Sequence, residues 1–121
     1  MKTVLVVEDE RSLIRILKEK LIHAKFNVET ATNGEEAILL LGQKKIDLIL
    51  LDLLLNNEID GFTVLTSLRE SVEPTPVIII SNLDEKIHIE RAMELGAKDY
   101  LLKSNVTLNQ IIKSVNYYLS L

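Results

Sequence analysis

The chain has 121 residues, 47% of them apolar and 26% charged, enough to bury one core and solvate one surface, which argues against a disordered tail or a fibrous repeat. With 14 Lys and Arg against 18 Asp and Glu the net charge is -4, which disfavours direct nucleic-acid binding because that draws on cationic contacts to phosphate; any DNA-binding module is expected outside this chain. Cys is absent (Cys 0), so there is no disulfide, thiolate metal site or cysteine nucleophile, which suits a reducing, cytoplasmic compartment; no apolar run approaches the ~18–20 residues of a membrane span, and neither signal peptide nor membrane anchor is expected.

Thr3–Val7 is a short β-branched run ended by Glu8 and Asp9, and reads as a first strand. Leu13, Ile14, Leu17 and Leu21 then form one stripe at helical spacing. A second strand is expected over Asn27–Ala31, followed by Asn33-Gly34-Glu35-Glu36, a capped helix start with acids in its first turn. Ile46–Leu51 and Pro76–Ile80 read as strands three and four, with a helix between them. Asp84–Leu95 reads as a helix ended by Gly96, Asp99–Leu102 as strand five, and Leu108, Ile111, Ile112, Val115 and Leu119 as the stripe of a last helix. Three of the strands are apolar throughout their middles, as parallel strands covered on both faces should be. Right-handed crossovers then give an α/β, three-layer, doubly wound sandwich with a five-stranded parallel sheet. Active groups in such sheets gather at the carboxyl ends of the strands. No repeat, low-complexity tract or linker interrupts the chain, so residues 1–121 are expected to form one domain.

The residues that end the strands share a chemical theme: Glu8 and Asp9 after the first, Asp52 after the third, Ser81 after the fourth and Lys103 after the fifth. If strands one and three are neighbours, three carboxylates meet, and a hard divalent cation with oxygen ligands, Mg²⁺, would neutralise them. Asp9 directly precedes a helix and reads equally well as its N-cap. Asp52 interrupts the run Leu48–Leu55, where a charge is costly unless paired. A carboxylate beside Mg²⁺ can attack phosphorus to give an acyl phosphate, and an amine and a hydroxyl would stabilise the transferred oxygens, the roles open to Lys103 and Ser81.

Glu8-Asp9, Leu51-Asp52-Leu53, Asp60-Gly61-Phe62, Ile79-Ile80-Ser81, Gly96-Ala97-Lys98-Asp99-Tyr100 and Leu102-Lys103 together resemble the receiver domain of bacterial two-component response regulators, over nearly the whole chain. The resemblance implies a flavodoxin-like fold with strand order 2-1-3-4-5 and a phospho-accepting signalling switch. It makes Asp52 the phosphoacceptor, and places Mg²⁺ on Glu8, Asp9, Asp52 and the backbone carbonyl of Leu54. Ser81 becomes the switch hydroxyl, Lys103 the phosphate-pairing amine and Tyr100 the rotating switch aromatic. The donor implied is a phosphohistidine on a sensor histidine kinase or histidine phosphotransfer protein. A downstream effector domain or protein would be met through the face of the fourth helix, fifth strand and fifth helix, around Ile87, Arg91 and Tyr100. Such a domain is substrate and part-catalyst rather than a turnover enzyme. No effector region follows Leu121, so the chain is expected to be a stand-alone receiver or a piece of a longer one. Lys113 is the only basic residue of the last helix, so at most a weak homodimer is expected.

Three departures stand out. Asp52 and Gly61 are nine positions apart, one more than usual, and Asn56 replaces the Pro four residues after the phosphoacceptor; the loop Asn56-Asn57-Glu58-Ile59 is expected to be reshaped. Asn82 follows the switch hydroxyl where a small residue is usual, at the lip of the phosphoryl pocket. Ser104 replaces the Pro after Lys103, which leaves the aim of that amine open. The Asn82 and Ser104 departures admit a rival, a receiver-like interaction module that no longer accepts phosphate. A second rival, an aspartate-nucleophile phosphohydrolase, would want an acid two residues after Asp52, where Leu54 stands. His23 and His88 lack metal-ligand spacing and read as surface or helix-face residues, and no Gly-rich phosphate loop supports a nucleotide cofactor.

Overall fold

The computed structural model describes residues 1–56, 58, 60–70 and 74–120. Its elements run β1 (Thr3–Val7), α1 (Arg11–His23), β2 (Asn27–Ala31), α2 (Gly34–Gln43), β3 (Leu48–Leu51), α3 (Gly61–Arg69), β4 (Val77–Ser81), α4 (Lys86–Glu94), β5 (Asp99–Leu102) and α5 (Leu108–Leu119). The strands form one parallel sheet in the order β2-β1-β3-β4-β5.

Strand alternation divides the core into two layers. Leu5, Val7, Ile49, Leu51, Val77 and Ile79 pack with Ala37 of α2, four residues of α3 and Ala92 of α4. Val4, Val6, Leu48, Leu50, Ile78 and Ile80 face the other way, onto Leu17 and Leu21 of α1 and Ile111 and Val115 of α5. Because β1, β3 and β4 are central, every residue from Val4 to Val7, Leu48 to Leu51 and Val77 to Ser81 is buried, whereas the edge strand β5 is half-buried throughout. The continuous apolar runs and the central positions thus coincide, as two-sided covering requires.

Several boundaries differ from the sequence reading for local reasons. Ile46 is buried in the core but lies before β3, since Asp47 instead exchanges hydrogen bonds with Thr3: its N–H reaches the Thr3 carbonyl at 2.9 Å and its carboxylate accepts the Thr3 N–H at 2.8 Å. Pro76 stands just outside β4, offering its carbonyl to the Ile49 N–H at 3.0 Å while having no N–H of its own to donate. β4 in turn extends to Ser81, which pairs with Leu102. Asn33 caps α2 as expected, accepting the Glu36 N–H at 2.8 Å. α4 is shorter than the stretch Asp84–Leu95, and Gly96 follows its end with φ +102°, a conformation glycine adopts without penalty.

Candidate functional site

The site is assembled where the ladder runs past the carboxyl ends of the strands. The Glu8 N–H donates to the Ala31 carbonyl at 2.9 Å, the Asp52 N–H to the Val7 carbonyl at 3.0 Å, and the Lys103 N–H to the Ser81 carbonyl at 3.1 Å. Pairing β1 with β3 therefore delivers Glu8, Asp9 and Asp52 to one place, each with a carboxylate oxygen within 4.8 Å of the others. Gly61 is required for the same reason. A Cβ there would lie 2.6 Å from the Asp52 carbonyl oxygen and from the Leu53 Cα, so the start of α3 can pass behind the aspartate only without a side chain.

Lys103 completes the cluster. Its Nζ lies 2.7 Å from Glu8 Oε1 and 2.7 Å from Asp52 Oδ2, although Ser104 rather than Pro follows it. The other oxygens are also engaged: Glu8 Oε2 accepts the Glu10 N–H at 3.0 Å and Asp52 Oδ1 the Leu54 N–H at 3.0 Å. Glu8 and Asp52 are buried, with 3% and 5% of their surface exposed, and so depend on these partners. Burial pushes the Glu8 carboxyl above its ordinary value, outweighing the bonds from Lys103 and the Glu10 N–H. Burial also opposes the Lys103 ammonium, but hydrogen bonds to Asp52 and Glu8 and the charges of both more than offset it, and the amine is held above its ordinary value. Three carboxylates and one ammonium leave the pocket with excess negative charge, which a cation would neutralise.

Asp9 differs from its neighbours. Glu10, not Asp9, occupies the N-cap of α1, and it makes no side-chain cap. Asp9 turns instead to β3–α3, where Oδ2 accepts the Asn56 N–H at 2.8 Å. Desolvation opposes the charge of this carboxyl, but the bond from the Asn56 N–H is the largest of the influences that hold it below its ordinary value. The N-cap reading is thereby displaced, because the carboxylate has a tertiary partner on another loop.

Ser81 is fully buried, its Oγ accepting the Leu83 N–H at 3.3 Å. Tyr100, half-buried on β5, donates its hydroxyl to the Leu83 carbonyl at 2.6 Å. Burial, then the Asp52 charge, pushes the Tyr100 phenol up to about 12, so it stays a neutral donor over the physiological range. Ser81 and Tyr100 thus hold the two ends of one residue in the β4–α4 loop. Asn82 and Ser104 are exposed, and Leu54 is 37% exposed. His23 is exposed, and His88 lies against the Phe62 ring at 6.1 Å, so neither joins the acids.

Asn56 is the residue whose part sequence reasoning missed, having marked it only as a departure. Its signal was chemical: a residue with an N–H stands where the family has proline, in an Asn-Asn pair suited to a tight turn. Of the loop Asn56-Asn57-Glu58-Ile59, expected to be reshaped, Asn57 and Ile59 lie outside the described residues.

All the donors offered by Glu8, Asp9 and Asp52 are carboxylate oxygens, the ligand set of a hard cation, and the half-buried Asp9 leaves the cluster open on one side. The residues present therefore fit Mg²⁺.

A doubly wound parallel sheet with such a pocket at its carboxyl edge defines the class as a flavodoxin-like α/β protein. Within that class the chain belongs to the response regulator receiver domain family, whose model matches residues 4–116. It is 37% identical over 102 residues to the alkaline phosphatase synthesis transcriptional regulatory protein PhoP of Bacillus subtilis (strain 168), covering 84% of this chain and 42% of that one. The chain thus spans about two fifths of the length of that relative. Among solved structures it is similar to the Francisella response regulator 1452 receiver domain, with TM-score 0.89, 29% identity, and 99% and 98% of the two chains covered. It is also similar to the BeF3-activated N-terminal receiver domain of Klebsiella pneumoniae RstA, with TM-score 0.89, 25% identity, and 99% and 100% covered. Membership of this family makes the chain a phosphoacceptor signalling domain of the two-component type.

Proposed function

We propose that residues 1–121 act as one receiver domain in which Asp52 accepts a phosphoryl group from a phosphohistidine on a sensor histidine kinase or phosphotransfer protein. The observation that carries this reading is the Lys103 ammonium, 2.7 Å from both Asp52 and Glu8 in a buried acidic pocket. An Asp52 carboxylate oxygen attacks phosphorus; the P–N bond of the donor breaks, its electron pair returns to the imidazole, and the acyl phosphate forms. Mg²⁺, held by Glu8, Asp9, Asp52 and the Leu54 carbonyl, would supply charge neutralisation for the incoming phosphoryl oxygens. Lys103 then exchanges its bond to Asp52 for one to a phosphoryl oxygen.

In this reading the new charge also draws the Ser81 hydroxyl, which leaves the Leu83 N–H. The same loop carries the carbonyl that holds Tyr100, so the two movements are coupled through Leu83, and the phosphorylated state is selected by its additional contacts. Output passes through α4, β5 and α5, where Ile87 is 71% exposed on α4 and Tyr100 half-buried on β5, while the Arg91 guanidinium lies over the Phe62 ring of α3, 4.3 Å from its centroid. The name of the PhoP relative points to transcriptional control as the output class, exercised by a region or partner other than this acidic domain. The cytoplasm is the matching compartment, and among the described residues no helix is long and apolar enough to cross a membrane. Water attacking the acyl phosphate at the same site would return Asp52 to its free carboxylate.

Incubation with Mg²⁺ and a small phosphodonor, followed by intact-mass measurement, tests the reading. One phosphoryl group per chain, dependent on Mg²⁺, is expected. No mass gain would leave the phosphate-free interaction module in its place, and continuous turnover of the donor would favour the phosphohydrolase.

A further inference from the structure

The β3–α3 connection makes a tight turn that the usual proline would forbid. Leu55 and Glu58 face each other in an antiparallel bridge, Leu55 N–H to Glu58 carbonyl at 2.8 Å and Glu58 N–H to Leu55 carbonyl at 2.9 Å. Asn56, directly after Leu55, has φ +53°, a left-handed conformation that asparagine tolerates better than most residues. Proline, locked near φ ≈ −65° and lacking an N–H, fits neither the angle nor the bond made here. Leu55, 1% exposed within the core, anchors the turn from below.

The turn brings Asn56 to two other loops. Its N–H donates to Asp9 Oδ2 at 2.8 Å, and its side-chain Nδ2 to the Thr32 carbonyl at 3.3 Å. Asp9 needs such a partner. Glu8 and Asp52 share Lys103, but Asp9 has no bond to that amine and is the least buried of the three acids, with the other two carboxylates within 4.8 Å. A carboxylate has two oxygens, so a bond at Oδ2 leaves the other for a cation.

We propose that Asn56 is a positioning residue for the cation site, its left-handed turn holding Asp9 beside Glu8 and Asp52 before the metal arrives. The inference rests on the reading that these acids hold Mg²⁺. The gain is preorganisation: Mg²⁺ need not first gather an acid that has no bond to Lys103.

The test is Mg²⁺ affinity by titration calorimetry on the unphosphorylated protein, with stability measured alongside. Asn56→Val cannot hold φ > 0 comfortably and should weaken Mg²⁺ binding about tenfold, the scale of losing a residue that orients a metal ligand. Asn56→Ala should do so to a smaller degree, and remains informative if the valine variant folds poorly. Asn56→Gly keeps both the angle and the N–H and should stay within about threefold of the parent, despite losing the bond to Thr32. Val115→Ala, buried on α5 in the core layer opposite the one that holds Leu55, should lower stability without changing the affinity. Equal affinity in the parent and the valine and alanine variants would overturn the proposal. So would a glycine variant as weak as the valine one, or an affinity that follows stability across all four variants. A parent that binds no Mg²⁺ would instead overturn the cation reading, and this proposal with it.

Discussion

Along β3 four successive residues, Leu48 to Leu51, are apolar and buried, and the next, Asp52, is a buried acid with 5% of its surface exposed. β1 repeats the pattern, with Val4 to Val7 followed by Glu8 at 3%. The interiors of these strands stabilise the fold, each buried aliphatic side chain contributing about 1.5–3 kcal/mol. Their tips do the reverse, since desolvating the carboxylates costs as much as Lys103 returns, or more. One backbone ladder thus joins a region built for stability to a region kept for chemistry, and substitutions in the two should behave oppositely.

The largest effect is expected at Asp52. Asp52→Asn should lose the phosphoryl mass gain altogether, because the amide is hardly nucleophilic, while its denaturation midpoint is unchanged or raised by relief of like-charge repulsion. A phosphorylated variant, or a clearly less stable one, would break the contrast. Leu5→Ala, in the interior of β1, should do the opposite, losing about 2–5 kcal/mol in chemical denaturation while the folded fraction still takes up phosphate.

Mg²⁺ should stabilise the tip by mass action, about 2.7 kcal/mol at a hundred times its dissociation constant. Glu8→Gln combined with Asp9→Asn should erase that increment. A thermal midpoint that still rises with Mg²⁺ in the double variant would move the cation elsewhere.

A smaller effect is expected from Glu8→Gln alone without metal. Since the folded pKa of Glu8 is raised above the ordinary 4.5, its protonated form favours the folded state. That contribution is fully present below about 4.5 and lost as pH rises through the folded value. Glutamine mimics the protonated acid, so the variant should be the more stable protein at neutral pH, with the difference closing on acidification. Denaturation midpoints measured from pH 4 to 8 would show a constant difference if burial of the charge were not the cause. The smallest effect concerns Asn82, exposed beside Ser81. Asn82→Ala should speed labelling by a small phosphodonor several-fold, because in-line approach tolerates little obstruction; an unchanged or slower rate would mean that the amide lies clear of the donor or assists it.

Most of the fold was legible in the residues themselves. Continuous apolar runs and helical apolar stripes depend on local geometry, so the strands and the first and last helices could be placed from Thr3 onward. The acids, hydroxyl and amine at the strand ends were legible as a theme because charges closing apolar runs are costly without partners. What the sequence left open were the partners. Asp9 served equally as a helix cap or a metal ligand until Asn56, 47 residues away, supplied its N–H. The aim of Lys103, with Ser104 behind it, was decided by the placement of β5 against β4 and of Glu8 against Asp52. Leu83 emerged as the link between Ser81 and Tyr100 only when the β4–α4 loop met β5. Secondary structure and burial follow from the periodicity of neighbouring residues, which a sequence displays directly. A hydrogen bond between loops depends on the relative position of strands far apart in the chain, to within a few tenths of an ångström, and only the tertiary structure decides that.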